Sequence, residues 1–242
     1  MKKLAVIFPA AVLICFLTSC NSTGKALIQS QGPIALVSVV SNAEINWKDE
    51  DPTNTNQAGP LAKRALRRDP ELTVASKADE LIVTAERIFR EVMSTSETIK
   101  FADRDRVFFS GAYGSARINR YQANRDYFKP NEYRFVDYRD KAFHSSLAGE
   151  IGVDKIMYVE FKFTISMALG IGKIGTLRAE TGMNINIQDA RGKSVFRKAY
   201  TLKSMERIRV RNGVYSYNEL MDIFEPTIEE ICRNFLDDLQ GY

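Results

Sequence analysis

Apolar residues recur along this chain in three spacings. The first is the unbroken run: Leu4 to Leu17 carries no charge, and Pro33 to Val40 is apolar except at Ser38. A run of the second kind, short and rich in β-branched residues, predicts a strand buried on both faces. The second is the three- and four-residue spacing of a helix face. It aligns Ala78, Leu81, Ile82, Ala85, Ile88, Phe89, Val92 and Met93 and predicts a helix over 76–94, with Ser76 and Asp79 as its capping pair. It also predicts a helix over 139–151 with Ala142, Phe143, Leu147 and Ile151 inward and Gly152 as its stop. A last helix opens at the capping box Ser216-Tyr217-Asn218-Glu219 and carries Leu220, Ile223, Phe224, Ile228, Ile231, Phe235 and Leu239 in one stripe. Pro226 inside that stripe predicts a kink or a division in two.

The third spacing is alternation, the signature of a strand with one dry and one wet face. It runs from Lys155 to Ile165, with Met157, Val159, Phe161, Phe163 and Ile165 on one side. It returns with Leu177, Ala179, Thr181, Met183, Ile185 and Ile187 against Arg178, Glu180, Gly182, Asn184, Asn186 and Gln188. Asp189-Ala190-Arg191-Gly192 is a turn signal, and Ser194 to Leu202, extending toward Val210, reads as the next strand. Tyr133 to Asp137 reads as a further strand, and Pro60 opens a short helix over 61–68. Strands joined through helices run parallel with right-handed crossovers, whereas three strands in succession make an antiparallel meander. The prediction is an α/β fold: a mixed sheet of parallel N-terminal strands and an antiparallel C-terminal meander, covered by helices, as one domain over 33–242.

The first apolar run has a different meaning. It follows Met1-Lys2-Lys3, spans 14 residues and ends in small polar ones. A membrane-crossing helix needs ~20 residues, so this is the three-part pattern of a secretory signal. Its end, Leu17-Thr18-Ser19-Cys20, resembles the lipobox of bacterial lipoproteins. The resemblance implies a signal peptide over 1–19 that is removed, and Cys20 carrying a diacylglycerol thioether and an amide-linked acyl chain. Residues 20–32 then form a tether to the membrane. Asn21 after the cysteine implies the outer membrane, facing the periplasm. A cysteine that merely follows an ordinary signal or anchor is the alternative.

Charge and cysteine content narrow the function classes. The formal net charge of +4 falls to about +2 once Lys2 and Lys3 are removed, which is no nucleic-acid signature. Cys15 leaves with the signal and Cys20 is lipidated, so Cys232 has no partner for a disulfide and no cysteine metal cluster can form. His144 is the only histidine, which removes a histidine-rich metal site as well. No cofactor or metal is expected. A 45% hydrophobic fraction excludes a disordered chain.

Several motifs carry candidate chemistry. Residues 101–140 hold ten of the 25 aromatics, interleaved with seven arginines and Lys129 against six acids. Arg and Tyr are residues of protein-binding hot spots, which makes Tyr113, Arg117, Arg120, Tyr121 and Tyr127 a candidate partner surface. The alternative is a long connection whose aromatics cover the core. Lys63, Arg64, Arg67 and Arg68 could meet anionic headgroups, or form a solvated helix face balanced by Asp49-Glu50-Asp51. Gly170 to Gly175 matches G-x-G-x-x-G, but a strand follows where nucleotide binding needs a helix. Ser145 and Ser146 adjoin His144 without a nucleophile-elbow sequence. Glu229-Glu230 and Asp237-Asp238 read as solvating acids, and nothing demands an enzyme.

The buried opening strand, the 76–94 helix, the passage Gly152-Val153-Asp154-Lys155-Ile156-Met157-Tyr158-Val159-Glu160 and the hairpin at Asp189 to Gly192 resemble the α/β domain of periplasmic lipoproteins related to the curli-secretion channel and to the activators of penicillin-binding proteins. The segment 101–132 departs from that pattern. The resemblance implies a non-enzymatic binding or envelope-assembly module with an envelope protein partner. The alternatives are an oligomeric secretion-channel component and, through His144, an envelope hydrolase.

Overall fold

The computed structural model describes residues 32–48, 60–69, 71–74, 76–97, 99–171 and 174–240. The signal segment, Cys20 and the tether up to Gln31, the acids Asp49 to Asp51, and Gly172 and Lys173 lie outside the described residues.

A 17-residue strand, Lys155–Ile171, holds the sheet together. In chain order the strands are β1 (Ile34–Asn42), β2 (Glu44–Trp47), β3 (Leu72–Thr73), β4 (Ser76–Lys77), β5 (Tyr127–Phe128), β6 (Lys155–Ile171), β7 (Ile174–Asp189), β8 (Ser194–Lys203), β9 (Ile208–Arg211) and β10 (Tyr215–Ser216). The helices are α1 (Pro60–Arg68), α2 (Asp79–Ser94), α3 (Arg104–Phe108), α4 (Gly111–Ser115), α5 (Arg120–Ala123), α6 (Lys141–Ile151) and α7 (Tyr217–Gln240). One edge of β6 pairs in parallel with β1, from Ile34 opposite Lys155 to Ser41 opposite Phe161, and then with β2. Its other edge pairs antiparallel with β7, which carries β8 and then β9 along its outer side. The short β5 and β4 close the far edge on β1 and β2. This is the mixed α/β sheet expected, with its parallel strands N-terminal and its meander C-terminal.

Alternation decides what covers each face. Odd-numbered residues from Met157 to Met167 of β6 and from Leu177 to Ile187 of β7 face α2 and α7, and all of them but Thr181 pack with Leu36, Val39, Phe89, Phe224 and Phe235 in the larger core. Phe235 stacks on Phe89 at 6.0 Å between centroids and meets Phe196 at 5.7 Å. Each such ring removes 150–250 Å² or so from water, which makes this layer the main source of stability. Pro226 does not divide α7, which continues from Tyr217 to Gln240. Pro226 sits on the exposed side, where water can take the carbonyl that lacks a partner four residues earlier, while Phe224 and Ile228 stay seated on the sheet. Thr227 donates to the Phe224 carbonyl at 2.7 Å, so its Oγ1 is left to accept the Thr181 hydroxyl of β7, also at 2.7 Å.

The opposite face is covered only at one end. Ala35, Val37, Ile156 and Tyr158 are buried beneath α3, α4 and α6 with Tyr113, Phe143 and Leu147. The start of β6 is therefore dry on both faces, rather than half-buried as its alternation predicts. Tyr133 to Asp137 is not a strand: a single bridge joins Val136 to Ile118, and the segment is held by Asn119 N–H to Phe135 O at 2.6 Å and Asp137 N–H to Arg117 O at 2.8 Å. Ser76 belongs to β4 and does not cap α2, which begins after Ala78 without a side-chain cap. Asp140 caps α6 by accepting from Phe143 N–H at 3.2 Å, leaving Ala142 exposed instead of inward. Gly152 ends that helix in the left-handed conformation.

Buried polar groups fasten the aromatic segment to the layers beside it. Tyr133, 1% exposed, donates to Glu86 Oε1 at 3.0 Å and accepts from Arg90 at 2.6 Å, while Arg90 also pairs with Glu86. Burial, with Glu86 nearby, pushes the Tyr133 phenol well above its ordinary range. Removing the hydroxyl alone leaves two buried partners short of a hydrogen bond. Tyr133→Phe should lower unfolding free energy by about 1–3 kcal/mol in urea titration. Arg87→Ala, which removes an exposed pair with Glu91 on the same helix, should cost under ~1 kcal/mol.

Candidate functional site

Beyond Tyr158 the helices of the second layer end and the even-numbered face of the sheet is open. A hollow of about 320 Å³ begins there. Its floor is Ser38, Glu160, Asn184 and Asn186, and its walls are Gln122, Tyr138 and Arg197. Tyr127 donates to Glu160 Oε1 at 3.2 Å. Burial, then the Glu160 carboxylate, pushes Tyr127 up to about 12, so the phenol keeps its proton. Tyr138 stands edge-on to Tyr158 at 6.4 Å.

The trough continues along the strands into a second hollow of about 390 Å³ that includes Lys48, Lys162, Glu180, Gly182 and Thr201. Glu180 is 5% exposed, accepts from Lys48 Nζ at 2.6 Å and lies 3.7 Å from Lys203 Nζ. Two flanking ammonium groups offset the cost of burying that charge. Gly182 keeps the floor low: a Cβ there would stand 3.4 Å from the Cβ of Lys162.

Of the partner-surface residues read from sequence, Tyr113 is 2% exposed and belongs to the second core. Its hydroxyl donates to Val37 O at 3.1 Å and accepts from Arg134 N–H at 2.9 Å, and burial raises it to about 12. Tyr113 therefore presents no surface. Arg117 is exposed and pairs at 3.0 Å with Asp137, which also receives Arg139 at 3.0 Å. Burial alone would raise the Asp137 carboxyl, but these arginines hold it below its ordinary value. Arg120 is exposed on α5, as is Tyr121, whose ring carries Arg125 at 4.2 Å. Tyr127 is half-buried, 6.3 Å from Tyr121. Gln122 thus lines the hollow, Tyr127 reaches it through its bond to Glu160, and Tyr121 stands beside Tyr127. Asn184, Asn186 and Arg197 were missed as site residues; the wet face of β7 was the available signal for the first two.

The remaining candidates resolve singly. Gly170 and Gly175 pair across the β6–β7 hairpin at φ +135° and +147°, where a Cβ on either would overlap the opposing backbone. A hairpin, not a helix, therefore uses that motif. Lys63, Arg64 and Arg67 are exposed on α1. Glu229 pairs with Arg233 on its own helix, whereas Asp238 reaches the sheet, accepting from Tyr200 at 2.7 Å and pairing with Lys198. Cys232 is fully buried, which pushes its thiol up and leaves it unreactive. Among the described residues there is no group of three or more His, Cys, Asp or Glu that could hold a metal, and no helix long and apolar enough to cross a membrane.

No family model matches the chain, and no curated protein matches it significantly. Among solved structures, the hypothetical protein CT253 of Chlamydia trachomatis overlaps 88% of this chain and 98% of its own, with 9% identity and a TM-score of 0.40. The LpoB C-terminal domain of Salmonella enterica overlaps 76% and 94%, with 7% identity and a TM-score of 0.27. Scores this low describe partial backbone overlap and carry no conclusion about this chain.

His144 is fully buried between α6 and β6. Its Nδ1 is 2.6 Å from the Asp140 carbonyl, which can only accept, so the proton sits on Nδ1. Nε2 then accepts the Tyr158 hydroxyl at 3.1 Å. Both nitrogens are occupied within the core, so the ring is placed to brace α6 and not to serve Ser145 or Ser146. Burial lowers its pKa below the ordinary 6.5, although Asp140 and Asp189 oppose that shift. The unfolded chain takes up a proton near pH 6.5 and the folded chain only at lower pH, so stability present above about pH 6.5 is lost as pH falls through the folded value. Urea midpoints between pH 8 and 5 should fall on the acid side for the natural chain. His144→Gln should start lower at pH 8 and show a shallower fall.

Proposed function

We propose that this chain is a lipid-anchored, non-enzymatic module of the cell envelope that holds a segment of another envelope protein in the open trough beside α5. The observation that carries this reading is the hollow itself: a polar floor of Glu160, Asn184 and Asn186, bordered by Gln122, Tyr138 and Arg197. An enclosed apolar cavity with few convergent polar groups is the usual small-molecule site. An open trough lined by amides and a carboxylate suits the backbone and side chains of an extended peptide instead, with aromatic and arginine side chains as anchors. The lipobox supports attachment through Cys20 to the outer membrane, on its periplasmic side. Asn21 to Gln31 would reach about 35 to 40 Å when extended, enough to present the trough away from the lipid. The sealed His144 argues against the hydrolase reading.

A second reading, an oligomeric secretion component, is favoured by the length of the β6–β7 hairpin, 17 and 16 residues. Light scattering of the lipidated protein in mild detergent separates the two readings, with a monomer expected for the tethered module and a discrete ring for the secretion component. A photo-crosslinking residue placed in cells at Tyr121, Gln122 or Tyr138 should capture one envelope protein, whereas the same residue at exposed Val83 on α2 should not. Asn184→Arg should fill the floor and remove the adduct without loss of fold. Absence of any adduct at all three trough positions would overturn the proposal.

A further inference from the structure

The β6–β7 hairpin outruns both layers of helices, and its end exposes apolar side chains that no described element covers. Leu169, Ile171 and Ile174 are 65%, 90% and 56% exposed. Register places all three on one face. Ile171 lies opposite Ile174, Leu169 opposite Thr176, and β9 sets Arg211 opposite Ile174 and Arg209 opposite Thr176. Residues directly opposite in an antiparallel pair share a face, so Arg209 and Arg211 stand beside the apolar trio. Both are exposed, and neither has an ion pair among the described residues. Arg178 continues this face and also lacks one among the described residues, whereas farther along Lys48 and Lys203 are taken up by Glu180. Of the other carboxylates on the sheet's open face, Glu160 accepts from Tyr127 and Glu44 lies on β2, away from the tip.

The geometry points to a peripheral lipid-docking site: the end of this hairpin meets an anionic phospholipid surface, with Leu169, Ile171 and Ile174 entering the headgroup region and Arg209 and Arg211 binding phosphates, while the trough farther along the sheet stays clear of the lipid. Both halves of the surface are needed for that assignment. Cations alone would suit any polyanion, and apolar side chains alone any apolar partner. Grouped on one face near the end of the hairpin, they match the composition of interfacial membrane-binding surfaces. The apolar trio selects lipid over a soluble polyanion. The tip also lies at the opposite end of β6 from Lys155, where β1 begins, about 50 Å away at ~3.3 Å per residue. A chain tethered before β1 would thus gain a second, separate point of contact with lipid. None of the three apolar residues lines the trough proposed for the protein partner, so loss of that partner's adduct leaves this site untouched, and the reverse.

The test uses the full-length protein held by its N-terminal segment in vesicles of phosphatidylcholine, with or without one-third or so phosphatidylglycerol. The chain has one tryptophan, the buried Trp47, so the parent spectrum can be subtracted from that of an Ile171→Trp protein. The added emission should shift to the blue and be quenched by brominated acyl chains in the anionic vesicles only. Arg209→Glu with Arg211→Glu should return it to its value in neutral vesicles; these side chains are exposed, and an unchanged thermal midpoint checks the fold. Removing one charge, as in Arg211→Gln, should weaken the response about fivefold. Equal quenching in neutral vesicles, no quenching in either, or persistence after charge reversal would overturn the proposal. So would a matching blue shift produced by heparin without lipid, which would make the face a site for soluble polyanions.

Discussion

The pairing of β6 with β1 on one edge and β7 on the other governs everything else in this molecule. Parallel pairing with β1 demands a crossover, and the chain spends residues 43–154 on it, β2 included. That crossover contains α2, which covers one face, and the aromatic segment and α6, which cover part of the other. Antiparallel pairing with β7 needs only a tight turn, so the hairpin can lengthen without further cover. The asymmetry follows from the two kinds of pairing: β6 is enclosed where it meets β1 and projects where it meets β7 alone.

The arginine and tyrosine residues of the aromatic segment must be understood within that constraint. A long irregular segment lying on a sheet has backbone groups that need partners. Here Tyr113 bonds Val37 O and Arg134 N–H, Arg134 bonds the Tyr113 and Gly114 carbonyls, and Asp137 gathers Arg117 and Arg139. Most of the side chains that resemble a binding surface in sequence are the fastenings of a cover without regular structure. What remains for recognition is its margin, α5 and Tyr138, where the cover stops and the trough starts.

Legibility in the sequence followed periodicity. The β1 run, the stripes of α2 and α7 and the alternation of β6 and β7 were all readable, because each element buries a periodic face, or in β1 both faces, in the core. Tyr133 to Asp137 was misread as a strand because its composition is that of one, while its hydrogen bonds go to Arg117 and Asn119 rather than to the sheet. Ser76 looked like a cap because a serine three residues before an acid is the local signature, and only tertiary pairing with β2 reveals it as strand. Asn184 and Asn186 were readable as wet positions of a strand, but the trough they help to form was not. Asn184, Glu160 and Arg197 come from three strands and meet only through register, which a single sequence does not display. Tyr121 and Tyr127, close in the chain, were within reach of sequence reasoning; Tyr113 was not separable from them without knowledge of burial.

Charge along the open face argues against its being ordinary solvated surface. In its middle, Glu180 is buried between Lys48 and Lys203, an arrangement in which desolvation of the acid is offset locally and no field extends far. Toward the tip that compensation ceases: Arg178, Arg209 and Arg211 follow one another on the same face without an acid paired to them among the described residues. A face selected only for solubility would intersperse its signs and keep large apolar residues off an exposed hairpin end. This one segregates a balanced middle from an unbalanced end and puts isoleucine and leucine at the end. Solvation of the sheet accounts for the first region; the second is the part of the face on which the lipid-docking proposal rests.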